Sequence, residues 1–174
     1  ITDTSINNLL SLKYKIQSLE WVHSVVTLLD VPLLNNSEAP LQERLKNFKT
    51  LKDEDVNKDR GFKEIISSPV FRNFVISEDG KTSGIIVYLR ENKPLDDIKN
   101  KSEKEIEIYK DQIKKQNHKN IIEIRDVIKS YKNIGKIHLG GIPMIADDMM
   151  TFIKSDIAVS YTHVRAHETT DNLV

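Results

Sequence analysis

The residues of this chain best suited to chemistry by type and spacing are His163 and His167, four apart, with Glu168 directly after the second. On a helix that spacing brings both imidazoles to one face, a workable start for a zinc site. A zincin needs its glutamate immediately after the first histidine, where it serves as general base, and Val164 stands there instead. No third ligand is evident in the sequence. Asp147 and Asp148 offer a second candidate, a carboxylate pair for metal or proton chemistry. Adjacent helical residues point about 100° apart, so such a pair does not easily share one site. Placement in the first turns of a helix, where carboxylates interact well with the dipole, is the stronger reading.

Gly80-Lys81-Thr82 matches the end of a phosphate-binding loop. That loop needs another glycine five residues earlier and a helix afterwards, whereas Val75 and strand-like residues occupy those places. A turn is the expectation. His23 and His138 fall in expected strands and His118 at an expected helix break, so each reads as structural or surface. Ser67-Ser68-Pro69 lacks the flanking glycines of a nucleophile elbow. Gly135, Gly140 and Gly141 do not follow the dinucleotide fingerprint. Trp21, the single tryptophan, is expected to pack at a helix–strand corner. No catalytic, cofactor-binding or metal residue is therefore assigned, substrate-binding residues stay unassigned, and the chain is expected not to be an enzyme.

The elements that would carry these residues follow from hydrophobic spacing. Ile6, Leu9, Leu10, Leu12, Ile16 and Leu19 predict a helix over 4–20, with Asp3, Thr4 and Ser5 as cap candidates. Val22 to Leu29 is β-branched and compact and predicts a strand, ended by Asp30-Val31-Pro32. Residues 33–69 read as an insertion with two short helices, one around Leu41, Leu45 and Phe48, the other around Val56, Phe62, Ile65 and Ile66. Phe71–Ile76 and Thr82–Leu89 predict a hairpin turning at Asp79-Gly80. A helix is expected over 96–132, broken near Asn117-His118 and stopped by Gly135, with alternating charges from Lys99 to Lys119 that fit a solvated face. Lys136–Leu139 reads as a short strand, and Pro143 opens a last helix with an apolar stripe at Ile145, Met149, Phe152 and Ile153. With one more strand before Ile1, the order becomes βαββαβ, an α+β ferredoxin-like (split βαβ) fold carrying a helical insertion.

A length of 174 residues fits one domain with a real core. Lys plus Arg is 26 and Asp plus Glu is 26, so no net charge draws the chain to nucleic acid or an anionic membrane surface. The absence of cysteine excludes disulfides, thiolate metal sites and a cysteine nucleophile. No run of 18 apolar residues is present to span a bilayer. The chain opens on Ile1 rather than Met, and a fragment is the expectation.

Three longer strings carry a resemblance. Trp21 to Leu34 (WVHSVVTLLDVPLL) resembles a segment of RND-superfamily exporters of the MmpL/Patched-like type. So do Ser67 to Phe71 followed by Val75 to Thr82, and His138 to Met150 (HLGGIPMIADDMM) running on to Ile157. The three occur in the family's order. The resemblance implies an extracytoplasmic porter-like loop domain over residues 1–157, the Gly-Gly-Ile-Pro-Met-Ile pattern being more like the first loop than the second. It implies an ion-gradient-driven transporter that exports lipid or other hydrophobic substrates. The implied partners are the membrane-spanning helices and second loop domain of the same transporter, with room for a homo-oligomer. The implied location is the cell membrane, with this domain on its extracytoplasmic side. In the family a spanning helix follows the position of Ile157. Here Ala158 to Val174 is polar and looks like translated adapter or vector sequence, so a non-native or disordered tail is expected over 158–174. The alternative reading is a stand-alone soluble α+β ligand-binding or regulatory module. A third is a small hydrolase or metalloenzyme built on the tail histidines.

Overall fold

The computed structural model describes residues 1–35, 40–91 and 102–171. It is mixed helix and sheet, an α+β arrangement, and it divides into two compact units, Ile1–Lys93 and Pro94–Val174.

In the first unit, helix α1 (Asp3–Gln17) buries Ile6, Leu12 and Ile16, which the 3.6-residue period places on one side. Its cap is Thr2 rather than Asp3, Thr4 or Ser5: the Thr2 hydroxyl accepts the Ser5 N–H at 3.2 Å. Strand β1 (Val22–Val26) follows a tight turn and stops sooner than its β-branched run predicts. Leu28–Asp30 forms a 3₁₀ turn instead. The Thr27 hydroxyl accepts the Leu29 N–H at 3.2 Å while the Asp30 carboxylate accepts the Thr27 N–H at 2.9 Å. This reciprocal box diverts the chain, and Leu28 and Leu29 enter the core from a turn.

Helices α2 (Leu41–Lys46) and α3 (Lys58–Ser67) lie in the segment expected as an insertion. That segment is integral to the core, since Leu33, Leu51, Val56 and Ile65 pack in one cluster with Ile6, Leu28, Leu29, Val31, Val75 and Ile76. Strand β2 (Ile86–Leu89) pairs antiparallel with β1, Val22 opposite Leu89 and Val26 opposite Ile86. The register slips between Val22 and Ser24, leaving exposed His23 as the extra residue of a bulge.

The expected 71–89 hairpin is reduced to its tip, where the Ser77 N–H donates to the Thr82 carbonyl and the Gly84 N–H to the Val75 carbonyl, both at 2.9 Å. Residues 68–75 curl into helical turns, with Arg72 N–H donating to the Ser68 carbonyl (3.0 Å) and Val75 N–H to that of Phe71 (3.0 Å). Asn73 takes a φ of +63°, a conformation asparagine tolerates better than most residues. Only a single bridge, Ile76 to Ser83, survives of the predicted ladder.

In the second unit, helix α4 (Glu103–Ser130) starts at a capping box: the Ser102 hydroxyl accepts the Glu105 N–H, and the Glu105 carboxylate accepts the Ser102 N–H at 2.9 Å. Residues 96–101 of the predicted helix lie outside the described residues. The helix runs unbroken through Asn117 and His118, because both side chains find partners outside it and leave the backbone ladder intact. It ends at Ser130, before Gly135. Residues 136–139 form no strand; their backbone is irregular, with no partner strand among the described residues. Helix α5 (Ile142–Asp171) follows Gly141, whose φ of +119° favours glycine. No helix among the described residues is long and apolar enough to cross a membrane.

Candidate functional site

Three polar arrangements stand out, two in the first unit and one in the second. The first centres on Asp30. Its carboxylate receives the ammonium groups of Lys13 and, at 3.0 Å, Lys52, together with the Thr27 hydroxyl (3.0 Å). Lys13 is only 8% exposed, so it needs this counter-charge. Burial pushes the Asp30 carboxyl up, but Lys13, Lys52 and the Thr27 N–H outweigh it and hold it down at about 2. Both ammonium groups and the Thr27 hydroxyl are engaged by the one carboxylate, and the cluster is a structural tie between α1 and the 3₁₀ turn. In the sequence Asp30 marks only the end of a strand; the Thr27-x-x-Asp30 spacing is the signal for the box.

The second arrangement clamps Leu34 and Asn35. Glu64 on α3 accepts the N–H of Leu34 at 2.7 Å and of Asn35 at 3.0 Å, while Arg44 on α2 donates to the Leu34 carbonyl at 2.6 Å. Beside this clamp lies a cleft of about 430 Å³ whose walls include Val31, Pro32, Ile65, Pro69 and Phe71. Ser67 and Ser68 also line it. Ser67 donates to the Glu64 carbonyl and Ser68 accepts the Val70 N–H, and no histidine lies on the described walls to activate either. The cleft offers shape and apolar surface rather than a nucleophile.

The third arrangement joins α4 and α5. Asn117 donates to the Pro143 carbonyl at 2.9 Å. His118 Nδ1 lies 2.8 Å from an Asp147 carboxylate oxygen, and Arg125 grips both Asp148 oxygens at 2.8 and 3.0 Å. The adjacent aspartates thus go to separate partners, as their angular divergence requires. The helix-dipole reading fails for both, since the first turn of α5 holds no acidic residue. Their role is to tie α5 to α4. His118, expected at a helix break, is instead mid-helix and half of one of these ties.

The other candidates separate. Gly80-Lys81-Thr82 forms the expected turn, with Gly80 at φ +67°. Lys81 N–H, which a phosphate loop would aim at an anion, donates to Asp79 at 3.1 Å. The Ser77 hydroxyl and that N–H hold the Asp79 carboxyl below its ordinary value. His138 is exposed in the irregular segment. Gly135 and Gly140 have open space around them, and no strand leads into α5 as a dinucleotide loop would need. Trp21 is half-buried at the turn between α1 and β1, and its carbonyl accepts the Arg90 N–H at 2.9 Å. The backbone of His163, His167 and Glu168 is helical within α5, and their side chains lie outside the described residues. Among the described residues no group of three or more metal-ligating side chains comes together.

The remaining feature is apolar. Along α5, Ile142, Ile145, Met149, Phe152, Ile153 and Ile157 are each at least half exposed, Ile142 reaching 83%. Their spacing of three and four residues makes one continuous stripe. Comparison with known family models, with curated proteins and with solved structures gives no match in any of the three.

Proposed function

We propose that this chain is an extracytoplasmic porter-like loop domain of an RND-superfamily exporter of the MmpL/Patched-like type, with no catalysis of its own. The observation that carries the reading is the apolar stripe of α5, six large side chains in line and facing solvent. An exposed apolar stripe of this length marks a docking surface. In the proposed setting it meets the rest of the transporter, either the second loop domain or the base of the membrane helices. The three sequence blocks that resemble the family support the same reading, and the third of them is this helix.

A ferredoxin-like frame belongs to the proposal. The order α1, β1, β2, α4 supplies the inner αββα of a βαββαβ fold, and the antiparallel pairing of β1 with β2 supports it. The domain would move as a rigid unit beside the path of a lipid or other hydrophobic substrate.

Sequencing the parent gene across both ends tests this. The expected result is about 20 apolar residues after Ile157 and another such stretch before Ile1. An open reading frame confined to this chain overturns it. That result would favour the second reading, a free-standing ligand-binding module, for which the cleft beside Arg44 and Glu64 is the specific support.

A further inference from the structure

A helix that docks on a neighbour ordinarily does so by burying an apolar stripe. Helix α5 does the reverse. Its apolar stripe faces solvent, and among its described side chains one is buried: Asp147, 7% exposed. A carboxylate in that position is costly unless a donor meets it. The donor is His118, whose ring is half exposed and whose Nδ1 lies 2.8 Å away.

We propose that His118 and Asp147 form a proton-operated clasp that holds α5 on α4, tight when the imidazole is protonated and slack when it is neutral. Histidine is the side chain that changes charge between pH 5 and 8. A protonated ring carries N–H on both nitrogens and so presents an N–H and a positive charge to the buried carboxylate. A neutral ring can donate to Asp147 only as its Nδ1–H tautomer, and it brings no charge. Protonation adds an ion pair to the hydrogen bond, whereas the neutral ring meets the buried carboxylate with a hydrogen bond alone.

On α4, Lys114 and Lys119 flank His118, and Lys115 is tied to Asp111 at 2.8 Å. On α5, Asp148 is held by Arg125, and the positive charge of Lys154 acts on Asp111. Asp147 is the carboxylate in ion-pair reach of His118 among the described residues. The other ties between the two helices, Asn117 to Pro143 and Arg125 to Asp148, involve neither member of the clasp. The inference stands whether or not the chain belongs to a transporter.

The absence of native cysteine makes a direct test possible. Spin labels on cysteines placed at Lys110 of α4 and Ser155 of α5, both exposed, report the α4–α5 distance in the full chain. The expected result is a narrow distribution at pH 5.5 and, at pH 8.5, a broad undocked component about fivefold larger. His118→Gln and, independently, Asp147→Asn should abolish the difference between the two pH values. Should one variant fail to fold, the other carries the comparison. Identical distributions at both pH values in the parent chain, or a pH response that persists in the variants, overturns the proposal.

Discussion

Lys13 of α1 and Asp30 of the 3₁₀ turn, seventeen residues apart, form an ion pair in which the lysine is almost fully withdrawn from water. The pair fixes the turn that ends β1, because the second oxygen of the same carboxylate accepts the Thr27 N–H. One side chain therefore holds both a helix and the end of a strand.

Asp30→Asn is expected to destabilise the chain by about 2 kcal/mol, since it strands a buried ammonium group without its counter-ion. Lys13→Met, which removes the buried charge and keeps the hydrocarbon stem, is expected to cost less. Urea unfolding midpoints with unchanged slopes check both.

Acid should weaken the same tie within a defined window. The Asp30 carboxyl sits at about 2 in the folded chain against an ordinary 3.8. A lowered folded value means stabilisation that is full above pH 4 to 5 and is lost as pH falls toward 2. Allowing for partial solvent screening, the loss is on the order of 1 kcal/mol. Unfolding free energies at pH 5 and pH 2.5 measure it, and the Asp30→Asn variant should show a smaller drop.

Gly80→Ala tests the turn. At φ +67° a Cβ is strained, and it would sit 2.8 Å from the end of the Ile66 side chain. A cost of about 1 to 2 kcal/mol is expected, visible as a lower melting temperature.

The α5 stripe should behave as a docking face rather than as core. Ile145→Lys and Phe152→Glu, at positions 51% and 69% exposed, are expected to leave stability within about 0.5 kcal/mol. The double variant should bind markedly less anilinonaphthalene sulfonate, a dye that reports exposed apolar surface. A large loss of stability would mean the stripe is packed and not free.

Helices were the legible part of this sequence, since α1, α3, α4 and α5 each advertise a 3.6-residue repeat within a short window. The β1 strand was legible too, though not its end, which depends on a Thr27–Asp30 exchange that outweighs β propensity. The partner of β2 was not legible: the Asp79-Gly80 turn suggested its neighbour in sequence, and Asn73 and the curl at 68–75 removed that neighbour. The α4–α5 ties escaped for the same reason. His118 and Asp147 are 29 positions apart, and nothing local to either residue names the other. Asp147 and Asp148 could be seen as a pair from their adjacency, but only the packing of two helices sends them to different donors.

The pairing of β1 with β2 has a bearing on how the chain reaches its fold. Everything from residue 27 to residue 85 lies between the two strands, including α2, α3 and the Leu51, Val56 and Ile65 part of the core. Closing so long a loop costs chain entropy before any ladder bond forms. The intervening helices and their apolar cluster are expected to shorten that loop by collapsing before the strands meet, which would make the sheet a late, non-local step of folding.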